Sequence, residues 1–213
     1  MASERVAAVV FDLGGVLIDW NPRHLYRRLF HGDEAAMEAF LADVCTADWN
    51  AQLDAGRPFL EAVETLAAAH PGQRDLILAY ATRWNEMMAG EIEGTVAVLG
   101  ELMQAHVPLY VLSNWSAETF PAARSRFPFL DWFDGVVISG DLGICKPDPA
   151  IYADLVARYR LVAARTVFID DAETNVAVAN RLGMIGLRFE GAPRLRADLR
   201  GLGLPVESDA GRG

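Results

Sequence analysis

Two segments place acidic side chains where they can do chemistry. Val6-Ala7-Ala8-Val9-Val10-Phe11 is an apolar run of strand length, and it stops at Asp12-Leu13-Gly14-Gly15. Thr166-Val167-Phe168-Ile169 is a second such run, and it leads straight into Asp170-Asp171. In parallel α/β sheets, ligands bind beyond the carboxyl ends of the strands, so a carboxylate there stands at the ligand edge. Two strands that deliver carboxylates to one edge make a site for a hard cation with a preference for oxygen donors. A local role competes in each case: a turn cap for Asp12, and an N-cap of the following helix for Asp170-Asp171.

The elements that must position these residues follow from the pattern around them. Strands are expected at 6–12, 108–113, 134–139, 166–170 and 184–189. Helical periodicity separates them. Glu93–Ala105 carries Val96, Leu99, Leu102 and Met103 on one face. Pro149–Arg160 follows the N-cap signal Asp148-Pro149, and Glu173–Leu182 closes at Gly183. Alternating strands and helices imply an α/β fold with a doubly wound parallel sheet. Residues 21–90 break that alternation. They read as helices only, at 22–30, 33–44, 58–69 and 73–88, with Pro71-Gly72 as a turn. The expected organisation is a core of 1–20 and 91–213 with a helical cap, 21–90, inserted over the carboxyl edge of the sheet. The tail 208–213 is expected to fray.

The chain has 213 residues, 52% of them hydrophobic, enough for a substantial core. A net charge of −10 disfavours a nucleic-acid surface, which is usually basic. A local pocket can still attract an anion. No apolar stretch approaches the roughly 18 residues of a membrane span. Met1-Ala2-Ser3-Glu4-Arg5 lacks the pattern of a signal peptide. Two distant cysteines, Cys45 and Cys145, suggest neither a disulfide framework nor a metal knot, so a cytoplasmic location is expected.

Four segments in order resemble the haloacid dehalogenase superfamily: Phe11-Asp12-Leu13-Gly14-Gly15-Val16, Val111-Leu112-Ser113-Asn114, Lys146-Pro147-Asp148-Pro149, and Phe168-Ile169-Asp170-Asp171-Ala172-Glu173-Thr174-Asn175. The chain is most similar to the phosphatase-like branch, including bacterial glucose 1-phosphate phosphatases and the N-terminal domain of bifunctional epoxide hydrolases. The resemblance implies a Rossmann-like core and Asp12 as a nucleophile that forms an aspartyl-phosphate. It implies Mg²⁺ on the Asp12 carboxylate, the Gly14 carbonyl and Asp171, with Asp170 binding directly or through water. Ser113 and the amides around Asn114 would hold phosphoryl oxygens, and Lys146 would neutralise phosphate charge and restrain Asp12. Asn175 would support the metal-binding residues. The substrate class implied is a small phosphorylated metabolite, a sugar phosphate above others, handled by a monomer or homodimer with no nucleic-acid or membrane partner.

One position departs from the family pattern. Most phosphatases of this superfamily carry a second aspartate where this chain has Gly14. That aspartate protonates the leaving oxygen and then activates water, help worth about 10²–10⁴-fold. Three explanations follow: a substrate with a good leaving group, another group reaching in (His24, Asp19 or a cap residue), or loss of hydrolysis. Trp20 and Arg23 are candidate substrate contacts at the junction with the cap, where Asn21 and Trp49 also lie. Packing for the tryptophans and a surface position for Arg23 compete with that role. His31, His70 and His106 read as structural, and Cys145 as a plain thiol near Lys146. The enzyme alternative is a 2-haloacid dehalogenase, which needs no metal and would leave the acidic pair uncompensated. The other is a metabolite- or partner-binding protein that keeps the fold without efficient turnover.

Overall fold

The computed structural model describes residues 6–207. The first apolar run forms β1 (Ala8–Phe11), buried along its whole length. A strand covered on both faces needs no polar alternate positions, hence its unbroken hydrophobicity. A tight turn follows, in which the amides of Val16, Leu17 and Ile18 all donate to the Leu13 carbonyl. Gly15 takes φ +73° there, a conformation that side-chain-bearing residues resist. The chain then forms β2 (Ile18–Trp20) and five helices: α1 (Arg23–Leu29), α2 (Glu34–Asp43), α3 (Ala47–Asp54), α4 (Phe59–Ala69) and α5 (Arg74–Thr82). It returns through β3 (Met88–Glu91), antiparallel to β2.

Strands and helices alternate from there: α6 (Glu93–Gln104), β4 (Leu109–Ser113), α7 (Phe120–Arg126), β5 (Gly135–Ile138), α8 (Ser139–Leu142), α9 (Pro149–Tyr159), β6 (Thr166–Asp170), α10 (Glu173–Arg181), β7 (Ile185–Arg188) and α11 (Ala192–Gly201). The main sheet has the order β5-β4-β1-β6-β7, and every pair is parallel. From β1 the chain builds outward to β4 and β5, then crosses back to β6 and β7. The carboxyl ends of β4, β1 and β6 flank that reversal, where α/β sheets bind ligands. Alternate residues feed two cores. Val9, Phe11, Val111 and Ile169 pack toward α6 and α11, while Val10, Leu112 and Phe168 pack toward α9 and α10.

The expected α/β class and the five core strands are present, each within a residue or two of its expected ends. The segment between β1 and α6 differs in three ways. Residues 47–54 form α3, which the pattern did not suggest; Thr46 caps it, its Oγ1 accepting the Trp49 amide at 3.0 Å. The helix expected over 73–88 stops at Thr82, and a 3₁₀ turn (Trp84–Met87) leads into β3. Third, neither β2 nor β3 was expected; Met88-Ala89-Gly90-Glu91 has no β-branched residue. Pairing with β2 supplies what propensity does not. Three further helices, α7, α8 and α11, were also unassigned from sequence. The two termini, including the tail expected to fray and Met1–Arg5, lie outside the described residues. No helix among the described residues is long and apolar enough to cross a membrane.

Candidate active site

The register of the sheet brings the motifs together. Phe11 pairs with Val111 on one side and Ile169 on the other, so Asp12 emerges between the ends of β4 and β6. The Asp12 amide donates to the Ile169 carbonyl at 2.9 Å. Its Oδ1 accepts the Leu13 amide and the Ser113 hydroxyl, both at 2.7 Å. Its Oδ2 lies 2.9 Å from Lys146 Nζ. Both oxygens of a carboxylate that is only 8% exposed are therefore fixed in direction.

Lys146 is 4% exposed and has one acceptor for each of its three protons: Asp12, Asp170 Oδ2 at 2.6 Å and the Leu112 carbonyl at 2.9 Å. Burial alone would lower its pKa; Asp12 and then Asp170 outweigh burial and raise it, so the ammonium form persists. The loop that carries it is clamped by Asn114. The Lys146 amide donates to Asn114 Oδ1 at 2.7 Å, and Asn114 Nδ2 donates to the Lys146 carbonyl at 2.9 Å. The Asn114 carboxamide is thus committed to holding Lys146.

Asp170 is fully buried and already well supplied with donors: Lys146, the Ala172 amide at 2.9 Å, and Asn175 Nδ2 at 3.0 and 3.1 Å. Asn175 therefore serves Asp170 rather than Asp171. Asp171 is different. It is packed beside Gly15, where a Cβ would come within 2.7 Å of its Oδ2. Burial, then the charge of Asp12, pushes its carboxyl pKa upward. Oxygen atoms of Asp12, Asp170 and Asp171 lie within 4.8 Å of one another. Three carboxylates against one ammonium leave a formal charge of −2, and an all-oxygen donor set of that charge fits a hard divalent cation.

Asp12, Ser113, Lys146 and Asp171 line a cleft of about 360 Å³ whose wall also includes Trp20 and Arg23. Arg23 reaches it while its guanidinium grips Glu38 in a two-pronged pair at 2.5 and 2.6 Å. Trp49 does not border the cleft. It is buried edge-on against Tyr80 at 4.9 Å, as a packing residue would be. His24 and Asp19, two candidates to make up for Gly14, bond each other at 2.9 Å. His24 borders a separate hollow with Arg28 and Glu86, so the pair is turned away from the cleft. His31 and His106 take positive φ at helix ends. The Cys145 thiol points to the Ala51 carbonyl at 3.8 Å.

The sequence reading passed over Asp54. It ends α3, and Asn50 Nδ2 donates to its Oδ2 at 2.8 Å. Burial, and next the charge of Asp12, pushes its pKa up to about 7, while the Asn50 hydrogen bond opposes the shift. An aspartate at the end of a helix carries no signal in the sequence, because its nearness to Asp12 depends on how α3 folds back over the sheet.

Comparison with known proteins bears on this geometry. A family model described as haloacid dehalogenase-like hydrolase matches residues 6–183. A sesquiterpene phosphatase of Aspergillus oryzae is 26% identical over 195 residues, covering 92% of this chain and 95% of that protein. A validoxylamine A 7′-phosphate phosphatase of Streptomyces hygroscopicus is 26% identical over 187 residues, covering 82% and 81%. Among solved structures, a haloacid dehalogenase family enzyme of Bacteroides thetaiotaomicron, in complex with magnesium and inorganic phosphate, superposes with a TM-score of 0.66. It shares 22% identity and covers 87% of this chain and 95% of its own. At that identity the likeness speaks for the fold.

Proposed function

The chain belongs to the haloacid dehalogenase-like hydrolases, and from that premise we propose that it hydrolyses a small phosphate ester, a sugar phosphate above others, through an aspartyl-phosphate on Asp12. The observation that carries the reading is the fixed Asp12 carboxylate, held by Ser113 and Lys146 at the mouth of a cleft whose acidic set can hold a divalent cation. The phosphatase names of two relatives matched over most of their length support it. In this reading helices α1–α5 form the cap (21–90) over a core of 1–20 and 91–213.

The roles follow from the contacts. Asp12 attacks phosphorus, and the ester oxygen leaves. Ser113 and Lys146 hold the carboxylate in one orientation, so little rearrangement is needed as its charge moves toward phosphorus. Lys146 keeps its proton throughout, because two aspartates face it, and it offsets negative charge in the transition state. Asp170 and Asn175 anchor Lys146. Asp12, Asp171 and the Gly14 carbonyl would hold Mg²⁺, with Asp170 behind them, and the ion would screen the repulsion between carboxylate and phosphate. Trp20 and Arg23 would meet the part of the substrate beyond the phosphate. The same need for a cation weighs against the dehalogenase reading, whose nucleophile attacks a neutral carbon.

The test is phosphate release from sugar 1-phosphates, sugar 6-phosphates and acetyl phosphate, with Mg²⁺ and with EDTA. The expected outcome is release that requires Mg²⁺ and vanishes in Asp12→Asn. No release from any ester under either condition, or release undiminished in Asp12→Asn, would overturn the reading.

A further inference from the structure

We infer that Asp54, supplied by α3 of the cap, protonates the leaving oxygen and then activates the attacking water, the work for which Gly14 has no side chain; the assignment rests on the phosphatase reading above.

Five observations support it. Gly14 borders a small cavity of about 50 Å³, and Asp54 stands in the wall of the same cavity. A Cβ built on Gly14 would find no atom within 4 Å, so the space beside the nucleophile's turn is open toward the cap. Asp54 is oriented for this task. Tyr80 OH donates to Asn50 Oδ1 at 2.7 Å, and Asn50 in turn fixes Asp54 Oδ2. No cationic side chain pairs with Asp54 among the described residues, so its carboxyl is not committed to an ion pair. Its position relative to the sheet is set by the core as well, because Ser139 Oγ donates to the Asp54 carbonyl at 2.6 Å.

The cavity wall is mostly apolar but carries a few polar groups. Trp20 and Trp115 border it, and the buried indole N–H of each has no partner among the described residues. A water needs only about 10–15 Å³ and two to four polar contacts, so the cavity accommodates the attacking water, or the leaving oxygen, between the indoles and Asp54. The charge environment agrees. A carboxyl with a pKa near neutrality exchanges protons most effectively at neutral pH. The titratable side chains around it are Asp12, whose negative charge adds to the upward push, and Tyr80 and Cys145, which burial pushes upward and keeps neutral there.

The proton balance closes over one turnover. In the first half the Asp12 oxygen bonds to phosphorus, the ester P–O bond breaks, and the Asp54 carboxylic acid transfers its proton to the departing alkoxide. Asp54 is then a carboxylate. In the second half it takes a proton from water, the hydroxide oxygen bonds to phosphorus, and the P–O bond to Asp12 breaks. Phosphate leaves, Asp12 is a carboxylate again, and Asp54 is reprotonated.

The experiment compares wild type, Asp54→Asn and Asp54→Ala on two esters: p-nitrophenyl phosphate, whose leaving group needs no proton, and the best alkyl sugar phosphate from the panel above. The expected result is a fall in kcat/KM of about 10²–10⁴-fold on the alkyl ester and less than about 10-fold on the aryl ester. Asp54→Asn should also release one equivalent of p-nitrophenolate in a burst and then turn over slowly, because the second half lacks its base. Thermal unfolding confirms that the variants fold, with Asp54→Ala standing in if Asp54→Asn does not. Folded variants that lose nothing, or lose the same factor on both esters without a burst, overturn the assignment while leaving the phosphatase reading intact. A wild type inactive on both esters overturns the phosphatase reading itself.

Discussion

At the scale of single residues, the site is a set of like charges held together by one ammonium. Removing Lys146 would leave two buried carboxylates facing each other, and breaking a buried pair in this way typically costs about 3–5 kcal/mol. Asp54 presents the opposite case, a carboxyl that folding disfavours in its charged form. Its pKa rises from 3.8 unfolded to about 7 folded, so stability is fully present below the lower value and is lost as pH rises through the higher one. The loss amounts to at most about 4 kcal/mol above neutrality. Asp54→Asn is therefore expected to melt higher than wild type at pH 8 in EDTA, with the gap closing toward pH 4. An unchanged gap across that range would rule out the burial cost. A variant that gains stability and loses activity marks a residue kept for chemistry. Much of this scale was legible in sequence. Asp12, Ser113 and Asp171 stand at or just beyond strand ends that hydrophobic runs announce, and Lys146 lies in a recognisable motif. Asp54 was not legible, because its partner across the cavity is a glycine forty positions away and no local pattern links them.

At the scale of elements, the strands of the core were readable because both faces of the sheet are covered and each strand is a short apolar run. The cap was harder. β3 has no strand propensity of its own and exists through pairing with β2, and α3 shows little amphipathic pattern. Besides the buried Trp49 and Leu53, a polar latch holds α3 and the start of α4 on the core. Ser139 Oγ accepts the Trp115 amide at 2.9 Å and donates to the Asp54 carbonyl. Glu118 accepts the Phe59 amide at 3.0 Å, and backbone meets backbone where a Cβ on Gly56 would lie 3.1 Å from the Gly140 carbonyl. Ser139→Ala strands a buried amide and a buried carbonyl, which costs about 1–3 kcal/mol. Denaturant unfolding should register that loss. The alkyl ester should also suffer more than the aryl ester, since Asp54 loses its fixed position. Equal effects on both esters would mean that the latch matters for stability alone.

At the scale of the whole molecule, a net charge of −10 repels a phosphorylated substrate, and the one buried ammonium is already shared by two aspartates. In the proposed reading, positive charge is recruited as Mg²⁺. Mg²⁺ binding only the folded state should add about 2.7 kcal/mol at a hundredfold excess over its Kd. For a chain of this size that is a rise of several degrees in Tm. The rise should shrink in Asp171→Asn and be absent with NaCl at matched ionic strength; an equal rise with NaCl would reduce the effect to screening. The polar latch has a further consequence, one of timing. In the proposed reading, nucleophile and proton carrier come from different elements, Asp12 from the end of β1 and Asp54 from the end of α3, so a molecule with α3 lifted off the core would retain Asp12 but have no base beside it. A phosphorylated Asp12 caught in that posture would be sheltered from hydrolysis even though water is plentiful. Its lifetime would then be counted by how often α3 came down, and an alcohol that entered before it did would compete with water for the phosphoryl group.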